Sequence, residues 1–539
     1  MILRKVKSFN GGELTIKMPQ HRAKDGTLLV PDELKELVPK GANFAYDVQA
    51  KIVEMRYVEL RQRSEIQSEL AKNDIDISTG SISNLSREGL AGLEQLQLCA
   101  SQRLGEFYRQ NDAFILHLDG TQEGGDWCHF VIREGFSGHI LLSRKIRTEH
   151  SDDIAPMLAE IKNLYGFPDA IISDMSKPIS TAIKAVFPLI PHRYCHYHFL
   201  KAVGTAWLEA EHNSLGSAVK KTKKQLHQAR REIVAHTRNT NLDLRNAINL
   251  IDWIFKHSEN LHGKGFPFDL AHLQFHENCG EALKAAQLIE NKFSEVNSKA
   301  VLSSIRLMIE ALQAQKNYSQ DSINTLNNLN NTFAELRDIM VPSTDDGQTK
   351  TPLNWGMLDD TANLVDTKQK LKKFTAKIKK RSTRENISQT ERKRLNGLHK
   401  RLAESLNKLE MSIFVRGKTV ILPRTNNAAE IGFRDFKRRS RRTTGAGNLA
   451  RQLDQTPAQA FYAENLQDDN FCKIVFNGQS FAEALGKTDR SKIRETTASM
   501  KTPKTIGAVD YKAIKQEDFL ERLIEEISSS CTTKNKKCA

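Results

Sequence analysis

Three carboxylates in this chain have neighbours suited to phosphate chemistry. Asp119 closes the run Phe114-Ile115-Leu116-His117-Leu118, and Asp174 follows Ile171-Ile172-Ser173. Glu430 lies in Thr425-Asn426-Asn427-Ala428-Ala429-Glu430-Ile431-Gly432-Phe433-Arg434. Each aspartate stands at the carboxyl end of a run that reads as a buried strand. Two carboxylates brought together repel unless a cation sits between them. Hard oxygen ligands suit Mg²⁺, with Mn²⁺ as a substitute. Two such ions can clamp the attacking and leaving oxygens of an in-line phosphoryl displacement. Each acid also has a plain structural reading. Asp119-Gly120 is a turn dipeptide, and Asp174 can cap the helix after it, a role for which Ser176 competes. Asn427 and Glu430 have the spacing of a capping box.

Downstream of Glu430 the sequence turns basic: Arg434, Asp435, Phe436, Lys437, Arg438, Arg439, Ser440, Arg441. On a helix, Glu430, Arg434, Lys437 and Arg441 share one face, with Arg438 beside it. A carboxylate followed by guanidinium and ammonium groups suits a metal-bound phosphate backbone. Should Glu430 fail as the third acid, Glu464 is the next candidate.

The elements that must position these groups follow from the hydrophobic pattern. Phe114–Asp119, Trp127–Phe136 and His139–Arg147 read as strands, with Ser137-Gly138 as a turn. Ser151 opens a helix with Asp152 and Asp153 in its first turn, its stripe being Ile154, Met157, Leu158, Ile161 and Leu164. Asp169–Met175 is a short strand. A helix through Ile179, Ile183 and Val186 and a strand over Arg193–His198 complete the unit. Three strands as hairpins, helix, strand, helix, strand is the order of the ribonuclease-H-like fold, in which the strands carrying Asp119 and Asp174 are neighbours.

Upstream, residues 41–100 have a helix-turn-helix rhythm. One helix runs through Val48, Ile52, Met55 and Val58. A second starts at Ser64 and carries Ile66 and Leu70, and a third is capped by Ser78 with Ile82 and Leu85 inward. The outer face of the third shows Thr79, Ser81, Asn84 and Arg87. In such motifs the last helix lies in the major groove with its N-terminal residues on base edges, so Ser81, Asn84 and Arg87 are candidate DNA contacts. An ordinary three-helix packing module is the plainer alternative.

The segments FILHLDGT, IISDMS, RYCHYHFLK and TNNAAEIGFRDFKRRSRRTTG together resemble the DDE transposases of insertion sequences, particularly the Mutator-like branch. The resemblance covers about residues 101–205 and 420–465. It implies that Asp119, Asp174 and Glu430 are catalytic metal ligands for Mg²⁺. It also implies double-stranded DNA, both transposon ends and target, as the partner, and a homo-oligomer, dimer or larger, in the DNA complex. Cys195-x-x-His198 resembles that branch's Cys/His signature. Asp174 and Glu430 are 256 residues apart, a gap that such enzymes fill with a helical insertion. A transposase-derived DNA-binding protein without catalysis and a metal-dependent nuclease of the same fold are the alternatives.

The expected division is a strand-rich segment at 1–40, a helix-turn-helix domain at 41–100 and a first core part at 101–205. An all-helical insertion at 206–420, a second core part at 421–485 and a basic tail at 486–539 follow. Leu395, Leu398, Leu402, Leu406 and Leu409 suit a helical hairpin or coiled coil. Lys370, Lys372, Lys373, Lys377, Lys379, Lys380 and Arg381 read as a solvated face or a DNA contact. On a strand, His192, Tyr194, His196 and His198 would share a face and Cys195 would point away, a poor zinc geometry. Trp355 could pack in its loop or stack on an unpaired base.

Composition agrees with this reading. The 539 residues hold 80 Lys+Arg against 65 Asp+Glu, a net charge of +15, which favours a polyanionic partner. With 39% hydrophobic residues, a wholly disordered chain is excluded. No apolar run approaches the ~20 residues of a membrane span. The N-terminus has no secretory h-region, and seven scattered cysteines do not form a disulfide framework. A cytoplasmic, nucleoid-associated location is expected in a bacterial-type cell, a nuclear one in a eukaryote.

Overall fold

The computed structural model describes residues 2–18, 21–22, 24, 28–29, 31–236, 242–258, 265–293, 299–340, 361–425, 427–500, 518 and 520–522. At the N-terminus, β1 (Ile2–Ser8) and β2 (Gly12–Met18) form an antiparallel hairpin with Ile2 opposite Met18. Gly12 takes φ +68° in its turn, a conformation that costs glycine little. Beyond a short helix at Asp32–Leu37, three helices pack together: α1 (Tyr46–Val53), α2 (Arg63–Ala71) and α3 (Thr79–Cys99). Val48, Ile52, Met55, Ile66, Leu70, Ile75, Ile77 and Ile82 close a small apolar core between them. Burying each such side chain stabilises the unit by about 1.5–3 kcal/mol before ordering costs. Ser78 caps α3 as its sequence position suggests, its Oγ accepting from the Ser81 amide at 3.1 Å. The cap of α2 is Gln62 rather than Ser64, because Glu65 reaches back to the Gln62 amide at 2.7 Å.

The boundary expected at residue 100 cuts across packed structure. The second half of α3 buries Leu90 and Leu93 in the core of the main sheet. Gln97 donates from Nε2 to the carbonyls of Ile140 and Leu141 at 2.9 and 3.1 Å. One rigid helix thus joins the N-terminal unit to the sheet.

That sheet has five strands: β3 (Ile115–Thr121), β4 (Cys128–Glu134), β5 (Ile140–Ile146), β6 (Ala170–Ser173) and β7 (His192–Tyr194). Their spatial order is β5-β4-β3-β6-β7. The first three pair antiparallel, while β6 runs parallel to β3 and β7 parallel to β6. Helices α4 (Ser151–Tyr165) and α5 (Lys177–Val186) make the crossovers. The chain is a mixed α/β protein, largely helical, and this sheet agrees with a ribonuclease-H-like core. Asp119-Gly120 does not turn. The strand runs on to Thr121, with Asp119 opposite Val131 and Gly120 opposite Phe130 on β4.

The strand expected over Arg193–His198 stops at Tyr194. From His196 the chain is helical as α6 (His196–His236). Phe199, Leu200, Val203, Trp207 and Leu208 start a buried stripe at helical spacing, and this stripe takes the segment out of the sheet. Helices then follow through α7 (Thr361–Ser382) and α8 (Gln389–Ser405) around one apolar core. Leu395, Leu398 and Leu402 of α8 are buried there beside Leu371, Phe374 and Ile378 of α7, so the leucine spacing does mark a helical hairpin. Residues 206–420 are not all helical, however. β8 (Ser412–Val415) and β9 (Lys418–Ile421) form a hairpin. Its Met411, Ile413, Val420 and Leu422 cover Ile115 and Ile172 of the main sheet.

After the hairpin comes α9 (Asn427–Thr444), which packs beside β3. The tail expected from 486 contains structure too. Helix α10 (Arg490–Ser499) lies on α3, with Gln95 donating to Thr496 at 2.9 Å and Arg490 paired with Glu88 at 3.0 Å. Trp355 lies outside the described residues. Among the described residues, no helix is long and apolar enough to cross a membrane.

Candidate nucleic-acid-processing site

Asp119 and Asp174 come from neighbouring strands in the interior of the sheet. The parallel register pairs Leu118 with Ser173, so the next positions are Asp119, still inside β3, and Asp174, the first residue past β6. Asp119 Oδ1 accepts from the Gly120 amide at 2.9 Å, and Asp174 Oδ1 accepts from the Ser176 amide at 2.9 Å. The Asp174 bond is an Asx turn ahead of α5 rather than a cap, since the N-cap is Ser176 and the helix has no side-chain cap bond. That turn occupies one carboxylate oxygen. Both side chains are half-buried.

A third carboxylate approaches this pair, and sequence reasoning missed it. Glu149, in the connection between β5 and α4, lies over Gly120: a Cβ built on that glycine would meet Glu149 Oε1. Burial, and then the neighbouring charge of Asp174, push the Glu149 carboxyl above its ordinary value. The same negative field adds to burial in pushing the Cys128 thiol up to about 12, with Glu149 and Asp119 both contributing. The trace of this in the sequence is the glycine after Asp119, whose missing side chain leaves the room that the Glu149 carboxylate occupies.

Glu430 lies in the first turn of α9, and its side chain lies outside the described residues. The backbone nevertheless bears on its capping role. The helix already includes Asn427, so the third helical residue is Ala429 and Glu430 is the fourth. The reciprocal box requires its carboxylate at the third. Among the described residues, no three His, Cys, Asp or Glu side chains come together closely enough to hold a metal ion. The described donors are nonetheless of the right kind. The carboxylates of Asp119, Asp174 and Glu149, the last raised by the charge of Asp174, are the oxygen donors that a hard divalent cation takes.

Glu464 is not available for that role. It grips Arg133 through two hydrogen bonds of 2.8 Å each, and Arg133 is only 2% exposed. Gly432 of α9 passes directly over this pair, since a Cβ there would come within 2.5 Å of Arg133 Nη2. Phe433 and Phe436 then seat α9 on Phe461, with ring centroids 5.4 and 5.3 Å apart. The ion pair and the aromatic cluster together fix the helix that carries Glu430. Glu464→Ala would strand a buried guanidinium, and breaking such a pair costs about 3–5 kcal/mol. Urea unfolding should reveal a loss of that order; a change below about 1 kcal/mol would mean that Arg133 finds another partner.

The basic face of α9 is partly committed. Lys437 Nζ lies 3.7 Å from Glu123, and Arg441 also pairs with Glu123, because the loop leaving β3 runs beside the helix. Arg434 and Arg438 are exposed, with Arg434 3.8 Å from Asp435. Of the four α9 residues expected to meet DNA, three thus face a protein carboxylate, Arg434 on its own helix and Lys437 and Arg441 across to Glu123. On α3, Asn84 is exposed, Ser81 half-exposed, and Arg87 reaches Asn84 Oδ1 at 2.8 Å.

Cys195 and His198 do not share a strand. Cys195 is buried after β7, its amide donating to the Ser173 carbonyl at 2.8 Å. His198 is in the first turns of α6, its ring centroid 5.5 Å from that of Tyr197. Between them, His196 is buried against the Leu409 carbonyl at 3.0 Å, and burial pushes it down to about 4. His196 is a neutral core residue linking α6 to the hairpin region.

No family model matches the chain, and no curated protein matches it. Among solved structures, a chain of the Drosophila P element transposase strand transfer complex is similar over 86% of this chain and 97% of its own. The identity is 12% and the TM-score 0.33.

Proposed function

We propose that the chain is a DNA transposase that cleaves phosphodiesters at transposon ends and joins the freed 3′-hydroxyl to target DNA. The observation that carries this reading is the parallel register that brings Asp119 of β3 and Asp174 just past β6 to neighbouring positions, with α9 packed beside β3. Asp119, Asp174 and Glu430 would hold Mg²⁺ or Mn²⁺. When bound, the metal supplies the charge that activates the attacking oxygen and stabilises the leaving one.

The protein's own groups do the positioning. The Gly120 and Ser176 amides each hold one carboxylate oxygen of the aspartates and so orient the two side chains that would hold the metal. The exposed Arg434 and Arg438 attract the backbone of the strand being cut. The outer face of α3, with Ser81, Asn84 and Arg87, reads base edges as the last helix of a helix-turn-helix. The helices from α6 to α8 form an insertion between the two parts of the catalytic core. Pairing of two DNA ends calls for a dimer or larger assembly.

The test uses the full chain, Mg²⁺ and a labelled duplex with a pre-cut 3′ end taken from the DNA flanking the gene. Labelled products longer than the substrate support strand transfer. Shortened products alone would make the protein a nuclease of this fold. DNA that is bound and left intact in both Mg²⁺ and Mn²⁺ would make it a DNA-binding protein without catalysis.

A further inference from the structure

A cleft of about 510 Å³ opens between the N-terminal helices and the C-terminal half of α9. One wall carries Arg56, Arg63 and Thr79, and the other Ser440, Thr443 and Thr444. No Asp or Glu is among the described residues that line it. Arg61 lines it too, but Glu59 and Glu69 already pair with that residue.

The remaining arginines are held by neutral groups. Arg56 bonds Ser86 Oγ, Arg63 bonds Ser83 Oγ at 3.2 Å, and Arg87, just beyond the rim, bonds Asn84 Oδ1. Burial pushes the Arg56 guanidinium below its ordinary value; Tyr57, whose ring centroid lies 5.3 Å from it, acts the other way, and the nearby charges of Arg63 and Arg87 add to the lowering. Such crowding is unfavourable unless an anion enters. The Tyr57 hydroxyl, on the cleft wall, is buried without a hydrogen-bond partner, although such groups normally find one. The two walls are tied at a fixed spacing. Gln62 Nε2 donates to the Thr443 carbonyl, and Arg439 donates to the Val58 carbonyl at 3.0 Å.

We infer that this cleft binds the sugar–phosphate backbone of duplex DNA, clamping one strand between the Arg56–Arg63 segment, with Thr79 at the start of α3, and the helix that carries Glu430. The inference rests on the DNA-processing reading above and adds a site to it. The ligand is a run of phosphodiesters rather than a base sequence. Guanidinium groups and hydroxyls are the donors that phosphate oxygens take, and they carry no sequence code. Thr79 begins α3, whose outer face continues through Ser81, Asn84 and Arg87, so a duplex lying on that face extends its backbone into the cleft. The clamp would set the distance between the sequence read by α3 and the bond presented to Asp119 and Asp174.

Two variants of the full chain test this. Arg63→Ala removes one cation. Thr79→Glu places a carboxylate in the cleft at the first residue of α3, where negative charge suits the helix, so the fold is kept. Binding is read by fluorescence anisotropy on a labelled random-sequence duplex across a salt series, alongside thermal melting. Each variant should bind about tenfold more weakly, with the slope of log K against log salt reduced by about one. Melting of Thr79→Glu should stay unchanged or rise. Wild-type affinity and slope in both variants would overturn the clamp while leaving the transposase reading standing. A wild-type chain with no salt-dependent duplex binding would overturn both. If Thr79→Glu loses binding to polyglutamate but keeps duplex binding, the cleft serves an acidic peptide and the inference fails.

Discussion

Asp119→Asn and Asp174→Asn should each reduce strand cleavage by about a thousandfold or more, while duplex affinity stays within about twofold. Such a loss corresponds to ~4 kcal/mol of barrier. Asparagine has the size of aspartate, and its amide oxygen can still accept from the Gly120 or Ser176 amide, so the strand ends keep their shape. What disappears is one negative charge from a pair that β3 and β6 hold in register. Asp169 provides a control on the same sheet. Its carboxylate accepts from the Phe114 amide at 2.8 Å at the opposite end of the strands, so Asp169→Asn should cost some stability and leave cleavage per folded molecule unchanged. Cleavage by both Asp119→Asn and Asp174→Asn at the wild-type rate, in Mg²⁺ or Mn²⁺, would remove the pair from the chemistry.

The pair was legible because it depends on short-range pattern. Two apolar runs, each ending in aspartate, fix which ends of the strands carry the acids, and the hairpin-then-crossover order makes those strands neighbours. The neighbours that act on the pair were not legible. Glu149 and Glu123 both come from connections between elements, and neither has a spacing relation to the residue it approaches. The Arg133–Glu464 pair spans 331 positions and joins two groups that each look like surface charges in sequence. Two other misreadings have local causes. Leucines recurring up to Leu409 carried the helical reading past the true end of α8, although Arg416-Gly417 marks the hairpin that follows. Both residues there take positive φ, +50° and +80°. In His192–His198, alternation looked like a strand, but the buried stripe from Phe199 onward extends a helix back to His196. The tail at 486–539 was read from its composition, which says nothing of the contacts that hold α10 on α3.

Glu430→Gln should abolish cleavage and strand transfer while leaving the melting temperature within about 1 °C and duplex binding near wild type. The starting point of α9 sharpens this expectation. A capping box would make Glu430 worth about 1 kcal/mol of helix stability, but it is the fourth helical residue and Ala429 is the third. The position is held by other means: Gly432 over the Arg133–Glu464 pair, and Phe433 and Phe436 on Phe461. Glutamine is also a good helix former, so it leaves those contacts and the path of α9 beside β3 intact. It lacks only the anionic oxygen required of a metal ligand. Arg434→Ala offers the contrast. It removes an exposed cation from the same helix, so it should weaken duplex binding and lower the salt slope by about one, with the residual cleavage still metal-dependent. Near-full cleavage by Glu430→Gln would move the third carboxylate elsewhere. Glu149, already leaning over Gly120 toward Asp174, would then be the residue to substitute next. Unfolding of Glu430→Gln would instead make Glu430 structural and leave the chemistry to the two aspartates.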